Sequence, residues 1–185
     1  MNYGKIYYCD TANGIGCRTV LFVSGCRHHC KGCFNPETWN FDYGQPYTDA
    51  VQTRILESLQ TPYIDGLTIL GGEPFEPENQ PVVHDLVRAV RTSHPDKSIW
   101  IYSGYTWEEL IDPLSFVHTA HTMDILSGIN ILVDGEYQEE HRNITLPFRG
   151  SSNQRILDVP ESLLHPDCPV LSKTIQAIEQ NHGIL

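Results

Sequence analysis

Three cysteines fall within eight residues in the run Gly25-Cys26-Arg27-His28-His29-Cys30-Lys31-Gly32-Cys33-Phe34, at Cys-x3-Cys-x2-Cys spacing. Thiolates are soft donors suited to iron-sulfur clusters and to zinc, and Gly25 and Gly32 let the chain turn tightly around whatever the sulfurs hold. The number of sulfurs carries the argument. A structural zinc site is closed by four ligands and a ferredoxin-type cluster takes four cysteines, whereas this loop brings three and leaves one iron of a 4Fe-4S cubane open. Zinc completed by His28, His29 or a remote cysteine is the competing reading, but the next cysteine is Cys168 and no Cys/His pair follows at knuckle spacing. Cys9, Cys17 and Cys168 are expected to be inert buried thiols.

A second motif, Gly71-Gly72-Glu73-Pro74, ends the apolar run Leu67-Thr68-Ile69-Leu70. The glycines free the backbone to approach a ligand, a main-chain carbonyl or Glu73 can accept from an ammonium group, and Pro74 stiffens the turn, so the loop suits an amino-acid moiety. Ser103 and Gly104 fall at the end of another strand-like run, where a ligand would lie. Asp134, before Gly135, is placed either to meet that ligand or a cation, or simply to make an Asp-Gly turn.

These loops need strands to carry them. Thr19–Ser24 is a short, β-branched and apolar run that leads directly into Gly25, and Leu67–Leu70, Ile99–Tyr102 and Ile129–Val133 have the same character. Between them, residues 81–92 set Val82, Val83, Leu86, Val87 and Val90 at helical spacing, and Thr106 caps a helix opening at Trp107-Glu108-Glu109. Strand and helix alternate, which predicts a parallel sheet with right-handed crossovers, open or curled towards a barrel. From about Glu136 onwards Pro147, Pro160, Pro166 and Pro169 break the periodicity, and the expectation is loops and a terminal helix laid over the core. The Trp and Tyr residues are expected mostly in that core.

Composition narrows the partners. With 12 Lys plus Arg against 23 Asp plus Glu, the net charge of −11 repels phosphate backbones and argues against nucleic acid. No run approaches the roughly 18 apolar residues of a membrane span, and the N-terminus lacks a signal or transit pattern, so a cytoplasmic protein is expected.

The cysteine loop after a first strand resembles the defining loop of radical S-adenosylmethionine enzymes, and Gly71–Pro74 resembles the methionine-binding element of that superfamily. The resemblance implies that Cys26, Cys30 and Cys33 hold a 4Fe-4S cluster whose open iron is chelated by the amino and carboxylate groups of S-adenosylmethionine. An electron from the cluster then breaks a sulfur–carbon bond to give a 5′-deoxyadenosyl radical. Cofactor contacts are expected at Gly32, Cys33, Phe34, Gly71, Gly72, Glu73, Pro74, Ser103, Gly104 and Asp134, with no side chain as acid–base catalyst. One departure is that Gly32 stands where an aromatic residue often precedes the third cysteine, with Phe34 following instead.

Across nearly the whole chain, the runs Asn13–Arg18, Leu21–Cys26, Cys33–Trp39, Tyr102–Trp107, Leu132–Gly135 and Arg149–Gln154 resemble the activating proteins of anaerobic ribonucleoside-triphosphate reductases, a glycyl-radical activase family. That resemblance implies a compact, incomplete (β/α) barrel with mostly parallel strands, in a single domain over 1–185 with its core at about 15–158 and a C-terminal extension at 159–185. It also implies the large reductase subunit as protein substrate and a flavodoxin-type reductant. Activases of the pyruvate formate-lyase type and carboxy-deazaguanine synthases would share both motifs. A zinc-binding interaction module is the reading from a different class.

Overall fold

A computed structural model describes residues 1–182. The strand that leads into the cysteine loop is β2 (Arg18–Val23), buried at all six positions. Strand β1 (Asn2–Asp10) precedes it, and β3 (Gln45–Pro46), β4 (Gly66–Gly71), β5 (Ser98–Tyr102), β6 (Ile131–Asp134) and β7 (Arg155–Asp158) follow. All seven form one sheet, in the order β3-β1-β2-β4-β5-β6-β7. The four central strands β2, β4, β5 and β6 run parallel, with Val23 opposite Gly71 and Tyr102 opposite Val133, so the ligand-type loops leave the sheet at one end.

The expectation of mostly parallel strands needs correction at both flanks, where β3 on β1, β1 on β2 and β7 on β6 pair antiparallel. A parallel neighbour requires a long crossover, commonly a helix. The short turn between Asp10 and Arg18 contains none, and the return from Asp134 to Arg155 carries only a 3-10 turn at Glu139–His141.

Helices α1 (Asp49–Leu59), α2 (Gln80–Ser93), α3 (Trp107–Ile111) and α4 (Thr122–Gly128) fill the connections between the inner strands. They cover one face of the sheet, where Leu21, Ile69 and Ile101 meet Ile55, Leu86 and Trp107 in the main core. Side chains alternate along a strand, so the intervening residues Phe22, Leu70, Trp100 and Tyr102 face the other way. Part of that second face is covered from the C-terminal side. After β7, α5 (Val159–Leu164) joins the main core through Val159, and α6 (Lys173–His182) brings Ile175 and Ile178 against Trp100, Val133, Ile156 and Phe148. The expected terminal helix is therefore α6, but β7 and α5 lie in what was read as loop, and positions 183–185 lie outside the described residues.

Thr106 caps α3 as expected, accepting from Glu109 N while the Glu109 carboxylate accepts from Thr106 N at 2.7 Å. Thr106→Ala should therefore cost about 1 kcal/mol, read as a lower urea midpoint at unchanged slope.

Two other expectations change. Cys9 and Cys17 are not separate buried thiols but a disulfide across the β1–β2 turn with Cα atoms 5.5 Å apart, because the hairpin brings them to cross-strand distance; Cys168 is exposed. Trp100 and Trp107 are core residues, but Tyr7, Tyr8, Tyr43 and Tyr63 are exposed, carried by the outer hairpin and by loops. Among the described residues no helix is long and apolar enough to cross a membrane.

Candidate functional site

The cysteine loop leaves β2 and wraps back on itself, with Gly25 N donating to Thr38 O at 2.7 Å and Cys26 N to Trp39 O at 3.2 Å. His29 takes up a left-handed backbone, φ 52°, and its ring stacks on Trp39 at 4.7 Å, which fixes the middle of the loop. The 71–74 loop is stitched directly onto this one. Gly72 N donates to Val23 O and Glu73 N to Gly25 O, both at 2.8 Å. Gly72 is needed for that approach, because a Cβ there would lie 2.6 Å from Gly25 O.

Arg27 clamps the same junction from outside. Its backbone N–H donates to Glu76 Oε1 at 2.7 Å, its guanidinium pairs with the buried Glu76 and the exposed Glu78, and it lies over the rings of Phe41 and Phe116. The hydrogen bond and charge of Arg27 hold the Glu78 carboxyl below its ordinary range.

Between the two loops lies a cavity of about 150 Å³ lined by Cys26, Cys30, Cys33, Phe34, Gly71, Gly72, Glu73, Ser103 and Gly104. Nine of the expected site residues thus share one wall. Gly32, Pro74 and Asp134 do not line it. Gly32 instead lets the loop pass Glu139, whose Oε2 would lie 2.2 Å from a Cβ there, and Pro74 is buried behind the loop.

Several of these side chains are already occupied. Glu73 is buried and accepts from Phe75 N at 2.8 Å, Ser103 Oγ at 3.0 Å and Gly104 N at 2.7 Å, so its carboxylate ties the 71–74 loop to the end of β5. His28 Nε2 stands 3.5 Å from Glu73 Oε2, an ion-pair distance longer than a good hydrogen bond. Ser103 Oγ also accepts from Tyr105 N at 3.0 Å. Asp134 is fully buried, accepts from Trp107 N at 2.8 Å and is paired to Arg155, whose other partner is Glu108. The geometry makes these three groups internal braces. Sequence reasoning assigned ligand roles by position at strand ends and had no signal for the donors that folding would bring to them.

The thiols face the cavity without clasping a point. Among the described residues no three His, Cys, Asp or Glu side chains stand close enough to hold a single metal ion. Three thiols around one cavity are a donor set that could give one sulfur to each of three irons of a cluster. Burial pushes the Cys26 thiol up to about 12 and Cys30 up to about 11, so binding a metal group here releases protons.

A second cavity of about 380 Å³ adjoins the first, sharing Phe34, Asn35, Leu70, Tyr102, Tyr137 and Gln154 with it. Arg149 and Gln154, the two ends of the last run that carries the family resemblance, line it. Arg149 donates to Gln154 O at 2.8 Å and pairs with Glu179 of α6, while Gln154 Oε1 accepts from Gly150 N at 2.9 Å. The members missed include Leu70 and Tyr102. Their signal was the two-residue alternation along β4 and β5, which turns them from the helical core towards the cavities.

Comparison with known proteins bears directly on this site. Residues 12–157 match a family described as a 4Fe-4S single cluster domain. Proteins named anaerobic ribonucleoside-triphosphate reductase-activating protein match at 39% identity over 156 residues in Enterobacteria phage T4, covering 84% of this chain and 93% of the phage protein. In Escherichia coli K12 the identity is 40% over 83% of this chain and 96% of the relative, and in Vibrio cholerae 42% over 84% and 97%. The chain belongs to the anaerobic ribonucleoside-triphosphate reductase-activating protein family. Both cavities are built mainly within the 4Fe-4S match, which takes in the cysteine loop, the 71–74 loop and the 149–154 turn. That match ends inside β7, so α5 and α6 follow it.

Proposed function

We propose that this chain activates an anaerobic ribonucleotide reductase by reductive cleavage of S-adenosylmethionine on a 4Fe-4S cluster, followed by removal of a hydrogen atom from a glycine of the reductase's large subunit. The observation that carries the reading is the shared cavity, in which three cysteines on one loop face a glycine pair on a second loop joined to the first by main-chain hydrogen bonds. Cys26, Cys30 and Cys33 would hold three irons. When bound, the cluster supplies one electron that splits S-adenosylmethionine into methionine and a 5′-deoxyadenosyl radical able to take the glycine's hydrogen atom.

The chain's own residues prepare the place. Glu73, spent on Phe75, Ser103 and Gly104, fixes the spacing between the 71–74 loop and the end of β5, and leaves main-chain carbonyls of the loop as acceptors for the amino group of S-adenosylmethionine. Arg27 and Glu76 hold the cysteine loop against the same element. Gly32, Cys33 and Phe34 would neighbour the nucleoside, with Phe34 at 63% exposure on the rim. Pro74 would stiffen the loop from behind, and Asp134 would act through Arg155 rather than on a ligand or a cation.

In this reading the sheet is the wall of an incomplete (β/α) barrel in a single domain, open to a protein substrate. The protein works in the cytoplasm with a flavodoxin-type donor. Electron paramagnetic resonance of the anaerobically reconstituted, dithionite-reduced protein tests it. The expected result is a 4Fe-4S signal that changes on adding S-adenosylmethionine, followed by a glycyl doublet when the reductase is added. A cluster response without the doublet would remove the substrate, and colourless protein carrying zinc would replace the reading with an interaction module.

A further inference from the structure

Tyr102, the last residue of β5, lines both the cysteine cavity and the larger cavity beside it. Its hydroxyl is buried and has no hydrogen-bond partner. Burial also raises its pKa, led by desolvation, so the group keeps its proton and stands as an unanswered donor. A buried polar group left unpaired is costly, and a native protein that keeps one calls for a reason.

Asn35 is the second uncommitted group on the passage between the cavities. Its backbone is pinned, with N–H on Cys33 Sγ at 3.4 Å and C=O accepting from Thr38 N at 3.0 Å, whereas its side-chain amide has no partner among the described residues. The other polar side chains of the larger cavity are engaged, except that Arg149 keeps one buried nitrogen, Nε, without a partner. Gln154 donates to Gly135 O at 3.1 Å and accepts from Gly150 N, Asn13 Nδ2 donates to Asp10 at 3.0 Å, and Arg149, the one charged side chain there, is paired with Glu179.

What remains open is one hydroxyl donor, one neutral amide and the single N–H of Arg149 Nε, set among apolar walls such as Phe22, Leu70, Leu146 and Phe148. An ionised metabolite would need an unpaired opposite charge, whereas the Arg149 guanidinium is already balanced by Glu179 and its open Nε can donate to a neutral carbonyl. A peptide main chain, whose carbonyls and N–H groups are neutral and whose flanks are apolar, matches these groups.

We propose that Tyr102 and Asn35 are positioning residues that hold the main chain of the partner's hydrogen-donating segment across this passage, Tyr102 donating to a carbonyl and Asn35 pairing with an adjoining peptide group. The inference rests on the activase reading given above. It assigns them no part in holding the cluster or in splitting S-adenosylmethionine.

The test uses the full chain with its cluster reconstituted, as wild type, Tyr102→Phe and Asn35→Ala, each titrated with the intact reductase while the initial rate of glycyl-doublet formation is followed. Each variant should raise KM for the reductase about three- to tenfold with kcat held within about twofold, the size expected for one lost hydrogen bond. The change that S-adenosylmethionine makes in the cluster signal should saturate at the same concentration as in wild type. The thermal midpoint of Tyr102→Phe should be no lower than that of wild type, because only an unpaired hydroxyl is lost. A purely structural role would instead lower the midpoint and leave KM alone. Unchanged KM in Tyr102→Phe, or a shift confined to S-adenosylmethionine saturation, overturns the proposal while the activase reading stands. Absence of any doublet with wild type brings down both.

Discussion

On the activase reading proposed above, replacing Cys30 with serine should give a folded protein with no intact cluster and no ability to form the glycyl radical, a loss of on the order of a thousandfold or more, because that reading routes the whole reaction through the cluster. Cys30 is only half-buried, on a loop outside the sheet and the main core, so the fold does not depend on its sulfur. Cys26 is buried and backed by the 71–74 loop, and its replacement would mix a packing loss with a ligand loss. Cys168→Ser is the control, since that thiol is exposed and lines neither cavity. Iron and acid-labile sulfide per chain, read beside the far-ultraviolet circular dichroism spectrum, give the answer. Full iron content in Cys30→Ser would remove this residue from the ligand set.

Arg18→Met should produce the largest loss of stability, more than about 3 kcal/mol, which for a chain of this size lowers the melting temperature by roughly 6–12 °C. Arg18 is 1% exposed at the start of β2 and is ringed by acceptors. It donates to Thr68 Oγ1 at 2.7 Å, to Ser98 Oγ and Leu67 O at 2.8 Å and to Ser98 O at 3.0 Å, and its guanidinium lies 5.2 Å from the centre of the Trp100 ring. Burial pulls its pKa down to about 10, with Tyr102 and Asp65 acting the other way, so at neutral pH the charge is retained. Methionine fills much of the volume and satisfies none of those oxygens. Three strands, β2, β4 and β5, lose their shared donor at once. Thermal unfolding followed by circular dichroism measures the effect, and a change under about 1 kcal/mol would mean that water replaces the guanidinium at little cost.

The parts of this molecule that could be read beforehand are those whose residues answer to their own neighbours in sequence. The cysteine spacing, the glycine pair closing an apolar run, the capping threonine of α3 and the valine spacing of α2 all carry their reason within a few positions. The buried inner strands were equally plain, because parallel strands covered by helices are continuous apolar runs. Strand β1 was not, since Tyr7, Tyr8 and Cys9 are exposed and it owes its place to pairing with β2 rather than to burial. The internal partners of Glu73 and Asp134 were hidden for a related reason. A carboxylate at a strand end looks the same in sequence whether it meets a ligand or is consumed by Gly104 N and Ser103 in one case and Arg155 in the other. Tyr102 lay in a strand that was recognised, but only the depth of its hydroxyl, unmet by any neighbour, sets it apart from an ordinary core tyrosine.

Helix α6 lies across the second face of the sheet and, through Glu179, grips the Arg149 turn that walls the larger cavity. The strands that carry the ligand-type loops lie within the 4Fe-4S match, whereas this brace follows it. Every lining residue of the larger cavity, the Arg149 turn included, lies inside that match, and only the brace that holds the turn lies outside it. A change at Ile175, Ile178 or Glu179 therefore acts on the far wall from outside, through the Arg149 turn, without touching a residue of the cysteine loop.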